Sequence, residues 1–282
     1  MRKRTVILGF LGLLAALLIW ILCSNSALMR TSCTVKSPDL PESFSGFRIA
    51  QVSDLHNAKL GTNGRLLAML QEADPDIIAI TGDLIDSGNT DISAALQFAA
   101  EAVKIAPCYY VTGNHEARVA EYTQLRSGLE SLGVMILEDQ AISLTREKDA
   151  ITLIGVNDPS FQTDYLFGDD QTVMDTALDS LTQNAAPFTL LLSHRPELLE
   201  VYAEQEIDLV LSGHAHGGQF RLPFIGGLFA PNQGFFPKYD SGLYRLDSTQ
   251  MIVSRGIGNS LFPFRFNNRP ELILIELQPT VT

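Results

Sequence analysis

Cysteine is scarce in this chain of 282 residues and follows no recognisable framework. Its three cysteines, Cys23, Cys33 and Cys108, are an odd number, and none has the spacing of a zinc-binding pair. The sequence therefore indicates neither a disulfide-stapled scaffold nor a cysteine-ligated metal site. Stability must come from a hydrophobic core, which 46% hydrophobic residues are sufficient to build.

Basic residues are also few. The chain has 20 lysines and arginines against 32 aspartates and glutamates, which gives a formal net charge of -12. Because proteins hold the backbone of nucleic acids chiefly with lysine and arginine, this balance argues against nucleic acid as a partner. A smaller phosphorylated substrate remains compatible with it, since bound divalent cations would reverse the charge locally.

The amino terminus contains a long run without charge. Residues 6–23 have no charged side chain and follow Arg2, Lys3 and Arg4. A helix of that length reaches about 27 Å, close to the hydrocarbon thickness of roughly 30 Å in a bilayer. We therefore predict a transmembrane helix at about residues 6–23, within an N-terminal membrane anchor of residues 1–26.

The basic cluster sets the expected orientation of this anchor. Positive residues stay on the cytoplasmic side, which predicts a single-pass protein of the cell membrane with an extracytoplasmic domain. The alternative is a cleaved signal peptide, although the apolar run exceeds the roughly 7 to 15 residues of a usual signal core. Residues 27–45, which include Pro38 and Pro41, are expected to form a linker, and residues 46–282 a single domain.

After this linker, strand-like and helical patterns alternate. Residues 47–52, 76–80 and 109–111 are strand-like, and residues 63–73 and 92–105 between them have helical spacing of apolar residues. This βαβαβ order predicts a parallel sheet with functional groups in the loops at the carboxyl ends of its strands. Further strands are predicted at 133–137, 151–156, 188–192, 207–211, 242–245, 251–254 and 272–277, and further helices at 121–131, 170–183 and 196–206.

All five histidines lie in short polar motifs that follow strand-like runs. These motifs are Asp54-Leu55-His56, Gly113-Asn114-His115-Glu116, Ser193-His194-Arg195 and Gly213-His214-Ala215-His216. A further motif, Thr81-Gly82-Asp83, adds a carboxylate. Imidazole and carboxylate groups in several separate loops are what a metal site with nitrogen and oxygen ligands needs. The sequence therefore predicts a metalloenzyme.

The order of these motifs resembles that of the calcineurin-like metallophosphoesterase superfamily. The resemblance spans roughly residues 47–277, and the apolar amino-terminal segment together with the G-H-A-H-G-G-Q, S-R-G-I-G and N-R-P-E segments favours the bacterial membrane-anchored phosphodiesterase-type branch. It implies two facing mixed β-sheets flanked by helices, the αββα sandwich of that family. Periodicity alone indicates only a mixed α/β fold.

The resemblance also implies two divalent metal ions and a ligand set for each. The first ion would be bound by Asp54, His56, Asp83 and His216, and the second by Asp83, Asn114, His194 and His214, so that Asp83 bridges them. The spacing of the D-x-H motif agrees with this role, since residues two apart in an extended segment project to the same side. For an extracytoplasmic protein we expect Mn or Zn in preference to Fe.

Two ions about 3.5 to 4 Å apart can hold a bridging water, lower its pKa and clamp phosphoryl oxygens during in-line attack. His115 is the candidate for protonating the leaving oxygen or stabilising its charge. By resemblance, Asp86 would orient His115. For Glu116 a structural role in the loop is the alternative to a functional one, and for Arg118 and for the arginine of the S-H-R motif a surface ion pair is the alternative to a contact with substrate phosphate.

These observations predict a membrane-anchored, metal-dependent phosphoesterase that hydrolyses phosphodiesters through a dinuclear centre and a bridging hydroxide. The alternatives are a phosphomonoesterase or nucleotidase of the same fold and a catalytically inactive binding module. The complete apparent ligand set argues against the inactive module. No motif identifies the substrate, which we expect to be a phosphorylated small molecule or a lipid-linked phosphate, or indicates an oligomeric state.

Phenylalanine is concentrated after the last histidine motif. Residues 220–239 contain five phenylalanines among glycines and prolines, and Phe262, Phe264 and Phe266 follow in a second segment. One interpretation is an apolar rim beside the metals that touches a lipid tail or the bilayer surface. The other is that these side chains close the loops against the core.

Overall fold

The structure is a computed structural model that describes residues 2–58, 60–162, 169–259 and 262–280. Within these residues the helices are α1 (Arg2–Ser26), α2 (Leu60–Ala73), α3 (Ile92–Ala102), α4 (Tyr122–Ser131), α5 (Asp170–Thr182) and α6 (Leu199–Glu204). The strands are β1 (Met29–Ser37), β2 (Phe47–Val52), β3 (Ile77–Thr81), β4 (Cys108–Val111), β5 (Met135–Ile136), β6 (Gln140–Arg146), β7 (Asp149–Gly155), β8 (Thr189–Leu192), β9 (Leu209–Ser212), β10 (Arg221–Leu222), β11 (Gly226–Gly227), β12 (Phe229–Ala230), β13 (Gly234–Phe235), β14 (Gly242–Leu246), β15 (Thr249–Val253) and β16 (Glu271–Pro279).

Two mixed sheets, each built from six of the described strands, form the body of the domain. The strand order is β1-β16-β2-β3-β4-β5 in the first sheet and β14-β15-β9-β8-β7-β6 in the second. β2, β3 and β4 are parallel, as their βαβαβ order predicts, and β16 is antiparallel to β2. In the second sheet, β15, β9, β8 and β7 are parallel, whereas the edge strands β14 and β6 are antiparallel to their neighbours.

The side chains of each sheet alternate between two cores. Ile49 of β2 is buried between the two sheets, whereas its neighbour Ala50 packs in a second core with Phe98 of α3. In the second sheet Leu190 faces the first sheet, and Leu191 packs in a third core together with residues of α5 and α6. The layers are therefore helix, sheet, sheet and helix. This confirms the predicted αββα sandwich.

The segment expected to be a linker is folded against the domain instead. β1 pairs in parallel with β16 along its whole length, from Met29 opposite Glu271 to Ser37 opposite Pro279. Leu28 just before it is buried as well. The segment does not read as a strand because most of its residues are polar and its hydrogen-bonding partner lies at the other end of the sequence. The expectation of a linker is corrected for residues 28–37.

Helix α1 precedes β1 and has its apolar surface uncovered. Residues Lys3–Leu22 have the length and composition to cross a membrane, with a mean hydropathy of 2.7, and none of this span is buried against the rest of the protein. The end of the helix is joined to the domain by Asn25. Its side chain donates a hydrogen bond to the carbonyl of Arg265 at 2.9 Å and accepts one from the N–H of the same residue at 2.6 Å.

Candidate metal centre

The seven expected ligands lie in loops at the carboxyl ends of β2, β3, β4, β8 and β9. These strands belong to both sheets, so the sandwich brings loops that are distant in sequence together at one edge. All seven side chains are buried: Asp54, His56, Asp83, Asn114, His194, His214 and His216. Burial of so many polar groups is unfavourable unless they are paired or bind a cation.

Four of these residues form what we call the first group, namely Asp54, His56, Asp83 and His216. One ligand atom from each lies within 4.8 Å of the others. The Nε2 atoms of His56 and His216 are 3.1 Å apart. His56 Nε2 is 3.5 Å from Asp83 Oδ2, and His216 Nε2 is 3.2 Å from Asp54 Oδ1. The ligand atoms of the group therefore converge on one small volume.

The second group consists of Asp83, His194, His214 and Asn114. Ligand atoms of the first three lie within 4.8 Å of one another. His194 Nε2 is 3.1 Å from Asp83 Oδ2 and 3.2 Å from His214 Nδ1. The carbonyl oxygen of the Asn114 side chain is buried without a hydrogen-bond partner among the described residues. Asp83 belongs to both groups.

The electrostatics of the two groups fit bound cations. Burial alone would raise the pKa of Asp83, but the neighbouring His194 imidazole outweighs burial and holds that pKa well below its usual range. Burial would conversely lower the pKa of His194, but Asp83 raises it. A negative potential that retains a proton on a buried imidazole also attracts a divalent cation, which would displace the proton. The buried Asp/His cluster therefore fits a dinuclear metal site.

The backbone of the site is held in a conformation that most residues avoid. Asp54, Asp83 and His214 have positive φ angles of 52°, 52° and 66°, and His56 and His216 share this feature. Aspartate and histidine are enriched among the few non-glycine residues found there. Such residues cost about 1–3 kcal/mol each and tend to cluster at functional sites. The site thus has the local strain expected of a functional centre.

Close packing around the carboxylates leaves no room for a side chain at Gly113 and Gly256. A Cβ atom at Gly113 would collide with the side chain of Asp83. Gly256 has a φ of 70°, and a Cβ there would lie 2.6 Å from the Cβ of Asp54. The backbone therefore approaches each carboxylate more closely than any side chain would allow.

Glu116 has the structural role that was one of its two predicted alternatives. Its buried carboxylate accepts hydrogen bonds from the N–H groups of Asp83 at 3.0 Å, Ile85 at 3.2 Å and Gly113 at 2.7 Å. Burial, reinforced by the nearby Asp83 carboxylate, raises the pKa of Glu116 to about 7. Glu116 fixes the loops after β3 and β4 to each other and so positions the carboxylate shared by both groups.

The surroundings of His115 differ from the expectation. Its Nδ1 accepts a hydrogen bond from the backbone N–H of Ser87 at 2.9 Å. The carboxylate of Asp86 lies instead 3.6 Å from Nδ1 of His56, and the His56 imidazole lowers the pKa of Asp86 to about 2. The expected pairing of Asp86 with His115 is therefore replaced, because the turn at residues 86–88 presents its backbone to His115.

A cavity of about 380 Å³ lies in front of the two groups. Its lining includes Asp83, His115 and His214 from the motifs, and the exposed Arg118. Pro231 and Asn232 from the β12–β13 turn complete this part of the wall. A phosphate ester that enters the cavity would therefore meet both ligand groups and His115.

Comparison with known proteins agrees with this geometry. The profile of the calcineurin-like phosphoesterase family matches residues 47–218, which is more than half of the chain. The chain belongs to this family. The matched span contains all five motif loops, from the D-x-H motif after β2 to the G-H-A-H motif after β9.

Several curated relatives match almost the whole chain. A Bacillus subtilis protein named uncharacterized metallophosphoesterase YkuE is 30% identical over 262 residues, which cover 89% of this chain and 85% of that protein. The Escherichia coli phosphodiesterase YaeI is 29% identical over 237 residues, which cover 82% of each. A Danio rerio transmembrane protein with metallophosphoesterase domain is 31% identical over 249 residues, which cover 85% of this chain and 55% of that protein.

A solved structure supports the fold. The Thermus thermophilus sulfate thiohydrolase SoxB, in complex with glycerol, superposes with a TM-score of 0.53 at 14% identity. The superposition covers 85% of this chain and 57% of that one. At this identity the likeness concerns the fold alone, and it agrees with the αββα sandwich of the calcineurin-like phosphoesterases.

Three residues that the sequence motifs did not indicate contact the expected ligands. Asn232 Oδ1 lies 3.1 Å from His214 Nε2. The buried guanidinium of Arg265 lies 3.4 Å from His216 Nδ1, and the Asn268 side chain donates to the His216 carbonyl at 2.7 Å. All three follow the last histidine motif. Asn232 and Arg265 lie in irregular segments that neither periodicity nor a polar motif singles out, and Asn268 begins the N-R-P-E segment, which supported the family resemblance without indicating this contact.

Arg195 has a role that neither of its predicted alternatives describes. Its side chain is buried and binds both carboxylate oxygens of Asp158, with one hydrogen bond of 2.8 Å from Nη2. Ser160 Oγ accepts a further hydrogen bond at 2.9 Å. Arg195 therefore ties the loop after β8 to the loop after β7, beside the neighbouring His194.

Proposed function

We propose that this protein is a membrane-anchored, metal-dependent phosphoesterase that hydrolyses phosphodiesters. The observation behind the proposal is that Asp83 is shared by two buried ligand groups: His56 Nε2 of the first and His194 Nε2 of the second lie 3.5 and 3.1 Å from its Oδ2. A carboxylate in that position can bridge two cations. The family of the chain, which is defined by phosphoester chemistry, supports the same conclusion.

In this proposal Asp54, His56 and His216 hold one ion, Asn114, His194 and His214 hold the other, and Asp83 bridges the two. Bound there, two divalent ions would lower the pKa of a water and polarise the phosphoryl oxygens. Asn114 contributes a neutral carbonyl oxygen, so its ion keeps more positive charge for the substrate than a carboxylate would leave. The residue types accept Mn or Zn, which we propose in preference to Fe.

His115 is proposed to act on the leaving group. Because its Nδ1 accepts a hydrogen bond from Ser87 N–H, the neutral ring carries its proton on Nε2. Burial lowers the pKa of His115, which favours this neutral form at neutral pH. The Nε2–H group can then donate a hydrogen bond to the leaving oxygen as negative charge develops there. Ser87 fixes the orientation of the ring for this role.

The proposed preference for diester over monoester substrates is based on a relative of this chain. YaeI is named a phosphodiesterase, and it aligns with this chain along most of both sequences. The direct test compares bis(p-nitrophenyl) phosphate with p-nitrophenyl phosphate on metal-loaded protein. We expect faster hydrolysis of the diester, and loss of both activities on chelation with recovery when metal is returned.

Two results of that comparison would overturn the proposal in different ways. Faster hydrolysis of the monoester would favour a phosphomonoesterase or nucleotidase of the same fold. Inactivity towards both esters, with two ions bound, would favour a binding module. The metal content of the same sample separates this last case from an enzyme that is merely unloaded.

The membrane part of the proposal rests on α1, whose span Lys3–Leu22 is long and apolar enough to cross a membrane and is uncovered. The basic residues at the start of α1 would remain in the cytoplasm, which places the enzymatic domain outside the cell membrane. Protease added to intact spheroplasts should digest the domain, and a cytoplasmic marker protein should survive in the same sample. Survival of both would contradict the proposed orientation.

A further inference from the structure

Six large apolar side chains are exposed near the metal centre, and we call them the aromatic face. They are Phe224, Ile225, Phe235, Phe236, Phe262 and Phe264. Phe224 is fully exposed and Phe235 is 72% exposed. For the five phenylalanines of this face, the exposure contradicts the interpretation that they close the loops against the core. Contiguous apolar groups on a protein surface mark a place where something else binds.

Backbone hydrogen bonds join the segments that carry these side chains. The N–H of Leu228, between the two hairpins β10–β11 and β12–β13, donates to the carbonyl of Phe220 at 2.8 Å. The N–H of Phe236 donates in turn to the carbonyl of Leu228 at 2.9 Å. Both hairpins are therefore parts of one assembly.

The third segment of the aromatic face is attached to the same assembly. The side chain of Gln219 donates hydrogen bonds to the carbonyls of Phe262 at 3.1 Å and Phe264 at 2.9 Å. The ring of Phe220 contacts the rings of these two residues, with centroid distances of 5.3 and 5.4 Å. The exposed side chains thus stand on a hydrogen-bonded support rather than on separate loops.

This support is fixed to the end of α1. Asn25 bonds to both the N–H and the carbonyl of Arg265, the residue directly after Phe264. Arg269 adds a hydrogen bond of 2.6 Å from Nε to the carbonyl of Ala27. The point at which the chain leaves α1 and the segment that carries Phe262 and Phe264 are therefore neighbours.

We propose that the aromatic face docks onto the surface of the bilayer in which α1 is anchored. The proposal rests on the membrane anchoring proposed above. A bilayer is the occupant because the face is continuous with the end of the one described helix that has the length and composition to cross it. Aromatic side chains are favourable at the boundary between headgroups and acyl chains.

The charges beside the face indicate that contact is made by apolar burial rather than by attraction to anionic lipids. Arg221, at the start of the first hairpin, pairs with Asp240 at 3.1 Å. Lys238, after the second hairpin, pairs with Glu200 at 2.8 Å. The chain as a whole is acidic. A bilayer of neutral phosphatidylcholine is therefore sufficient for a test.

The docking would also affect the metal centre, because the β12–β13 hairpin forms part of both the cavity wall and the aromatic face. The turn between β12 and β13 contributes Pro231 and Asn232 to the cavity wall, and β13 contributes Phe235 to the aromatic face. With the face on the bilayer, the cavity is held beside the lipid headgroups. Phosphoesters at the membrane surface are then the substrates closest to the site.

The test measures where single tryptophans lie relative to the bilayer. The full-length protein, which has one tryptophan, Trp20 in α1, is reconstituted into phosphatidylcholine nanodiscs with or without brominated acyl chains. Two further proteins combine Trp20→Phe with Phe224→Trp or with Phe235→Trp. The matched control combines Trp20→Phe with Met135→Trp, since Met135 is 47% exposed and lies on β5, at the opposite edge of the first sheet from β1.

We expect bromolipid to quench the tryptophans at 224 and 235 to an extent comparable with Trp20, and to leave the tryptophan at 135 unquenched. Quenching of Trp20 without quenching at 224 and 235 would overturn the docking and leave the anchor intact. Equal quenching at 135 and 224 would also overturn it, because the contact would not be specific to the face. An unquenched Trp20 would refute the anchoring itself.

Discussion

The two ligand groups are built alike but differ in charge. Each combines residues from loops of the first sheet with histidine from loops of the second, and each includes Asp83. The first group has two carboxylates, from Asp54 and Asp83. The second has one carboxylate together with the amide oxygen of Asn114. An ion in the first group is therefore more fully neutralised, and an ion in the second is left more positive.

This difference in charge suggests that the two groups have different roles within one centre. The more anionic group is suited to retain its ion, and the less anionic group is suited to attract phosphoryl oxygens. Their common carboxylate couples them, because any change at Asp83 alters both. Substitutions can therefore separate effects that belong to one ion from effects that belong to the pair.

The largest effect is expected from Asp83→Asn, because it removes a negative charge from both groups at once. We expect loss of turnover and weaker retention of both ions, measured as hydrolysis of an aryl phosphodiester and as metal content by mass spectrometry. Asp247→Asn is the matched control, since it makes the same change at an exposed aspartate in the turn between β14 and β15, at the opposite end of β15 from the ligand loops, and should retain both ions. A variant of Asp83 with two ions and near-normal turnover would show that Asp83 is not a bridge.

Smaller and more selective effects are expected when one imidazole is removed from each group. His216→Ala should lose the ion of the first group, and His194→Ala that of the second, so each variant should retain one ion per chain. The ion left in the His216→Ala protein is held by the second group, which has only one carboxylate, so this protein should lose its ion at a lower chelator concentration than the His194→Ala protein. Equal chelator sensitivity of the two variants would contradict the proposal that the charge difference makes the second group hold its ion more weakly. Loss of both ions from either variant would mean that the two groups do not bind their ions independently.

His115→Ala tests chemistry separately from metal binding, because His115 is proposed to contact the leaving oxygen whereas Asn114 beside it is a proposed ligand. Turnover should fall by roughly 10²- to 10⁴-fold, the range typical of groups that handle the leaving proton, with metal content unchanged. The loss should be largest for alcohols with a high pKa and smallest for activated aryl groups. A uniform loss across leaving groups would point instead to a role in holding the phosphate.

The sequence was most informative where residues act within motifs. Each strand of the βαβαβ opening was recognisable as an apolar run, and the first three motifs each followed one of these runs, as expected for groups at the carboxyl ends of parallel strands. The family resemblance supplied the second sheet. Its strands β8 and β9 were recognisable as continuous apolar runs because both of their faces are buried.

The sequence was least informative where a residue depends on a distant partner. β1 is polar along one face and becomes a strand through β16, about 240 residues later. Asp86 was matched to His115 by position, but the local turn gives that contact to Ser87. Arg265 and Asn268 reach His216 from segments without periodicity. Such contacts are set by loop geometry, which no local pattern encodes.

The smallest effect is expected from Asn232→Ala, because Asn232 contacts a proposed ligand of the second group without being a ligand itself. Asn232 Oδ1 faces His214 Nε2 at 3.1 Å, so it can accept that proton and leave Nδ1, on the side of His194, free to bind an ion. Loss of such an outer contact typically weakens metal affinity by about 10- to 100-fold. The affinity for the second ion should fall, while the affinity for the first stays unchanged in a metal titration.

The control is Asn184→Ala, which removes the side chain of an exposed asparagine after α5 and should alter neither affinity. Equal weakening of both ions would mean that Asn232 supports the cavity as a whole, and an unchanged second affinity would mean that the orientation of His214 is fixed without it.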